Sequence, residues 1–275
     1  MNPHQGHRSS VFELFASHWR NRQLIIQLTK RDVLGRYRGS IMGLAWSFFN
    51  PLVMLTVYTF VFSVVFKARW SVTGEDKVNF ALILFVGLIV HGLFAECINR
   101  APSLIVSNSN YVKKVVFPLE ILPSVALGSA LFHGSVSLAV FLATQLIINQ
   151  RLPWTVVIFP VILMPLLLAT MGFAWFLSAL GVYVRDIGQA TSIFTTILMF
   201  LSPVFYPVSA LPSTYQLWVQ LNPLTFIIEQ GRNVLIFGKI PNWTGWGLAF
   251  AAGLLLSIGG FWWFQKTRKG FADVL

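Results

Sequence analysis

Few side chains in this sequence are suited to chemistry. The 275 residues include 9 acids, 5 histidines and 1 cysteine, against 20 lysines and arginines. His4, His7 and His18 have no partners at the spacing that metal ligands keep. Cys97 is alone, so no intrachain disulfide can form and cysteine usage says nothing of redox compartment. The one Gly-Lys pair, Gly238-Lys239, is followed by Ile240. Asn233 stands where a phosphate-binding loop needs its first glycine, so a nucleotide cannot be held in that way. His91, Glu96 and His133 lie in or near apolar stretches, where an ionisable side chain is a functional candidate by default. His133, near the middle of such a stretch, is expected to be neutral and hydrogen-bonded between helices. Glu96 is expected near water. No cluster of acids and no histidine–acid pair is read from the sequence, so catalytic residues are expected to be absent, as are cofactor and metal ligands.

Two other patterns point to binding. Aromatic side chains recur inside two apolar stretches: Trp46, Phe48, Phe49, Tyr58, Phe60 and Phe62 in the first, and Phe194, Phe200, Phe205 and Tyr206 in a later one. An aromatic ring can stack on the apolar C–H face of a sugar. A passage lined by Trp46, Phe49, Tyr58, Phe62, Phe194, Phe200, Phe205 and Tyr206 would let a glycan slide with few strong polar holds. The second pattern is the stretch 100–123. There the polar Ser107-Asn108-Ser109-Asn110 is followed by Lys113-Lys114 and then Val115-Val116-Phe117-Pro118. A short amphipathic helix between Pro102 and Pro118, apolar on one side and flanked by cations, makes a docking surface for a partner protein.

The elements that must carry these groups follow from composition. Fifty-six per cent of residues are hydrophobic and only 11% charged, against about 25% charged in soluble domains. So few charges cannot cover a water-soluble surface, which excludes a soluble enzyme, a nucleic-acid-binding domain and a disordered chain. Six windows lack Asp, Glu, Lys and Arg: 39–66, 78–95, 121–150, 152–184, 187–228 and 240–265. About 20 helical residues cross the hydrocarbon layer, and lipid offers no partner for open backbone. The alternation of a membrane β-barrel is missing. The expected fold is therefore all-α and integral to the membrane, with six transmembrane helices near 41–66, 78–97, 122–148, 155–184, 187–206 and 243–264. The fifth window also holds Pro203, Pro207, Pro212 and Pro223, so 208–237 is expected to form a re-entrant helix pair. Residues 11–38 interleave apolar and basic side chains, as an amphipathic helix in the headgroup layer does. No cleavable signal is expected there. With the N-terminus inside, fourteen of the 20 cations fall on inner segments, which orients both termini toward the cytoplasm.

Several motifs also agree in order and spacing with a known family. They are Arg36-Tyr37-Arg38-Gly39-Ser40, Gly43-Leu44-Ala45-Trp46 running into Asn50-Pro51, and Asn108 through Pro118. Further on come Tyr183-Val184-Arg185-Asp186-Ile187, Phe200-Leu201-Ser202-Pro203-Val204-Phe205-Tyr206-Pro207, Leu221-Asn222-Pro223-Leu224 and a Phe271-Ala272-Asp273 tail. Over nearly its whole length the sequence resembles the transmembrane subunit of polysaccharide-export ABC transporters, most nearly the O-antigen type. The resemblance implies one permease domain over 1–275 in the inner membrane of a bacterium, working as a homodimer with two separate ATP-binding subunits. ATP and magnesium would belong to those subunits. The substrate would be a lipid-linked polysaccharide, and the channel would run mostly between first and fifth spans. Residues 11–38 resemble the family's interface helix, and 208–237 its re-entrant pair. The segment 100–118 resembles the coupling helix, which would set Asn108, Asn110, Tyr111, Lys113, Lys114 and Phe117 against the ATPase. Membrane lipid is the other expected partner, and nucleic acid is not one.

Two alternatives stand beside this on the residues alone. A secondary transporter of a lipid or glycan would favour internal repeats and midplane ion sites, and neither is evident. A membrane-embedded glycosyl- or acyltransferase would need the acidic cluster or histidine–acid pair noted above.

Overall fold

The computed structural model describes residues 11–66, 79–113 and 117–275. Its regular structure is helical throughout, with no strand among the described residues. Two helices open the chain, α1 (Val11–Arg20) and α2 (Arg22–Arg36). The expected single helix over 11–38 is thus broken at Asn21, whose side-chain amide turns back to the Ser17 carbonyl at 2.8 Å. Positive-φ glycines, Gly39 and Gly43, then turn the chain into α3 (Trp46–Tyr58). α3 continues through a wide turn of π type over Thr59–Val65.

Four long helices follow: α4 (Asn79–Arg100), α6 (Leu122–Asn149), α7 (Phe159–Tyr183) and α11 (Trp243–Thr267). Between α4 and α6 lies the short α5 (Ser109–Lys113). After α7 come α8 (Ile187–Leu201), α9 (Ser213–Gln220) and α10 (Pro223–Leu235), and α12 (Phe271–Val274) ends the chain. Five stretches are long and apolar enough to cross a membrane: Gly43–Phe62, Phe80–Ser103, Leu119–Asn149, Trp154–Tyr183 and Trp243–Val274. They match five of the six expected spans. The fifth expected span, 187–206, is filled only by the 15 residues of α8, about 22 Å of helix at 1.5 Å per residue. Pro203 is the reason. A residue before proline avoids the helical region, and Ser202 is extended at φ −92, ψ 152.

α7 is the centre of the bundle, with 15 of its 25 residues buried. It lies directly on α11. A Cβ on Gly260 would strike the Gly172 carbonyl, and one on Gly172 the Leu256 carbonyl, so the two backbones touch. In lipid, where helices gain nothing by leaving water, such close van der Waals contact is what joins them. Gly253 and Ser257, one helical turn apart on α11, take part. Gly35, Gly39 and Gly43, of like spacing, meet nothing within 4 Å, and the last two serve the turn into α3 instead. α4 is also deep, its apolar window 78% buried, whereas that of α3 is only 11% buried.

The two ends of the bundle differ. One carries α1, α2, the α4–α6 connection and the C-terminus, and is called here the basic end. The far end carries the break after α8, α9 and α10. α9 exposes Tyr215, Leu217 and Trp218, while α10 is sunk into the bundle with nine buried residues.

Candidate functional site

The aromatic set divides in two. At the far end, Phe62 sits between Phe80, 5.5 Å away, and Phe205, stacked on it at 6.2 Å and 22°. Phe205 stacks in turn on Phe200 at 5.7 Å, and Tyr58 lies 6.4 Å from Phe62. The Tyr206 hydroxyl donates to the Phe200 carbonyl at 2.9 Å, closing the last turn of α8. Four of the eight proposed lining rings thus converge, with Tyr206 beside them in a structural role. Trp46 and Phe49 do not join them. They stand at the other end of α3, 46% and 40% exposed, and Phe194 is 50% exposed along α8. Phe80 belongs to this cluster and was missed, since one phenylalanine at a helix start carries no pattern of its own.

The expected docking segment takes shape at the basic end. α4 unwinds into short tight turns at Ala101–Ser103 and Val106–Asn108 before α5. Pro102 is buried, and a Cβ on Gly181 of α7 would strike its carbonyl. Asn110 and Val106 face outward, and the Asn108 side-chain amide donates to the Leu104 carbonyl at 2.9 Å. Tyr111 and Phe117 differ from expectation. Their rings stack on each other at 4.4 Å and 11°, and they pack half-buried on the chain's own cluster around Ile105, Leu119 and Phe271. The apolar side of the segment is therefore partly satisfied from within, because α12 folds back under it. Lys114, Val115 and Val116 lie outside the described residues, as do His4 and His7. The backbone of Lys113 ends α5.

Three polar networks tie the first two helices to this end. Ser17 donates to Glu120 Oε1 at 2.8 Å, and Arg268 meets Glu120 Oε2 at 2.6 Å. His18 Nε2 lies 2.7 Å from the Ser124 hydroxyl. Arg100 bonds both oxygens of Asp32 at 2.7 and 2.8 Å, and Ser129 donates to Asp32 at 2.6 Å. Burial works to raise the Asp32 carboxyl. The bonds from Arg100 and Ser129, with the charges of Arg100 and Arg36, outweigh it and hold the group below the ordinary carboxylate range. The third network corrects a reading of the sequence, for a histidine–acid pair does exist. His133 Nδ1 lies 3.0 Å from Glu96 Oε1. The carboxylate also takes Arg36 at 2.6 Å, and the Tyr37 hydroxyl is 3.2 Å from His133 Nε2. These partners make the pair a tie between α2, α4 and α6, in keeping with the hydrogen-bonded role expected of His133. Glu96 is 20% exposed. His91 donates from Nε2 to the Thr195 carbonyl at 2.9 Å, joining α4 to α8. Among the described residues no three His, Cys, Asp or Glu gather as metal ligands would.

Arg232 is the other surprise. The only cation in the sequence between 208 and 237, it is 3% exposed inside the bundle, bonded to the Ile83 and Val204 carbonyls at 3.0 Å each.

Comparison with known proteins accords with this architecture. The family model described as ABC-2 type transporter matches residues 23–236. The "O-antigen export system permease protein RfbA" of Myxococcus xanthus is 29% identical over 254 residues, covering 92% of this chain and 95% of that protein. A protein of the same name from Klebsiella pneumoniae is 26% identical over the same coverage. The "Polysialic acid transport protein KpsM" of Escherichia coli is 23% identical over 224 residues, 77% of this chain and 81% of the other. The residues matched by that model run from α2 to α10. The chain belongs to the ABC-2 type transporter family.

Proposed function

We propose that the chain is the membrane subunit of an ATP-driven exporter that moves a lipid-linked, O-antigen-like polysaccharide out across the cytoplasmic membrane. The observation that carries this reading is the likeness, along 92% of the chain, to relatives named for O-antigen export. The physics supports it. An ATP-driven exporter whose membrane subunit has no phosphate-binding loop takes its energy from a partner, and the segment 100–118 at the basic end is the docking surface. Asn110, Val106 and the Lys113-Lys114 pair meet the ATP-binding subunit, while Tyr111 and Phe117 brace the segment from behind. α3 and α8 leave most of their apolar side chains uncovered. In a homodimer those two faces meet their copies around a shared axis, and the aromatic rings line the passage. A ring-lined wall holds a glycan weakly at many points, so no position traps it; the same trade governs ion conduction. α8, though short, completes a sixth crossing with the turn after it. α9 and α10 form the re-entrant pair on the outer side, and both termini face the cytoplasm.

The test is reconstitution with a candidate ATP-binding subunit. Lipid-linked polysaccharide should reach the far side only when both subunits and ATP are present. Replacing Phe62 and Phe205 by leucine should cut transport while ATP hydrolysis by the partner persists. Hydrolysis of ATP by the purified chain alone would sink the proposal, as would transport driven by a proton gradient without the partner.

A further inference from the structure

The buried Arg232 has no part in the pathway described above, yet it joins two backbone segments far apart in sequence. A guanidinium is costly to take from water unless its N–H groups are bonded. Here Nε donates to the Ile83 carbonyl in the first turns of α4, and Nη2 donates to the Val204 carbonyl in the turn after α8. Each segment carries one of the two rings that flank Phe62. Phe80 lies three residues before Ile83, and Phe205 directly follows Val204. Asn222 steadies the same break from the start of α10, donating to the Ser202 hydroxyl at 2.9 Å while accepting from Leu224 N. α3 has little other cover, so a two-ring clip is a principal hold on its far end.

We infer that Arg232 is a positioning residue that sets the spacing of the Phe80–Phe62–Phe205 clip and so holds the far end of α3 in its resting place. This rests on the export reading, in which that end of α3 borders the passage. Opening for a glycan would then require the clip to yield, and the guanidinium fixes how readily it does. Gly87 offers a second way to disturb the joint without touching the charge. A Cβ there would lie 3.2 Å from Arg232 Nη2 and 3.2 Å from Val204 Cα, tighter than packing normally allows.

The experiment places spin labels at the exposed Val65 and Ser209 in a Cys97→Ser background. Labelled chains are diluted with unlabelled ones and assembled with the ATP-binding subunit. The wild-type arginine should give one narrow distance distribution. Arg232→Gln and Gly87→Ala should each shift it or at least double its width, and each should cut export several-fold while the partner's ATP hydrolysis is unchanged. Arg232→Lys, whose single ammonium cannot reach both carbonyls as the fork does, should fall between. If Arg232→Gln fails to accumulate, Gly87→Ala carries the test. An unaltered distribution in Gly87→Ala and any accumulating Arg232 variant overturns the inference. So does an altered distribution with full export, or a parallel fall in hydrolysis, the mark of a general folding defect. Loss of the narrow distribution in an assembly whose wild type exports nothing would leave the clip standing and refute the export reading alone.

Discussion

Replacing Glu120 by alanine tests the strap at the basic end. The carboxylate is 6% exposed and takes Arg268 at 2.6 Å on one oxygen and Ser17 at 2.8 Å on the other. Its own backbone carbonyl accepts from the Trp175 indole at 2.9 Å, so the residue sits in one place. Removing one partner of a buried ion pair costs about 3–5 kcal/mol, because the other charge is left without its counterion. Two features pull toward the low end. Arg268 keeps the Phe117 carbonyl at 2.8 Å, and its side chain is 13% exposed to solvent. The stranded Ser17 hydroxyl adds about 1 kcal/mol in the other direction. Glu120→Ala should therefore destabilise the chain by about 3 kcal/mol, roughly a hundredfold in the folded population. Denaturant titration in detergent followed by tryptophan fluorescence would read it, with Trp175 packed beside the site. Glu120→Met with Arg268→Met should recover most of the loss, since an apolar pair of similar volume is often no worse than a buried ion pair. A single variant as stable as wild type, or a double variant no better than the single, would refute this account of the node.

Two further expectations come from packing and titration. Gly260→Ala or Gly172→Ala would force a methyl group into a carbonyl of the facing helix. Each should cost at least the ~1–3 kcal/mol of ordinary overpacking, seen as a lowered melting temperature, whereas Gly247→Ala, with open space around it, should be neutral. Asp32 is held below the usual carboxylate range in the folded chain. Its contribution is present above the unfolded value and is lost as pH falls through the folded one. Melting temperature measured from neutrality down through the carboxylate range should show an acid limb that Asp32→Asn makes shallower; an identical limb in the variant would count against the assignment.

Much of the architecture was legible in the residues because lipid imposes a simple rule. Uncharged windows of sufficient length must be helices, and five of the six expected spans have that length. Proline marked the end of α8 as well, but the apolar run beyond it hid the signal, so the helix was expected to run on to Tyr206. Glu96 and His133 were each visible as candidates, yet their meeting was not, for 37 residues separate them and the rotation of α4 against α6 decides it. Arg232 was legible only as a cation, and no local pattern tells a surface arginine from one that pins two distant carbonyls.

By itself the sequence determined the class of molecule: a helical membrane protein, poor in chemistry of its own, with a basic end and two aromatic-rich helices. Those properties follow from composition and from runs along one chain. The tertiary structure alone decided which polar groups pair, how the first two helices are strapped to the bundle, and which rings converge at the far end. These depend on how helices rotate and dock against one another, and contacts between residues about a hundred positions apart leave no periodicity behind.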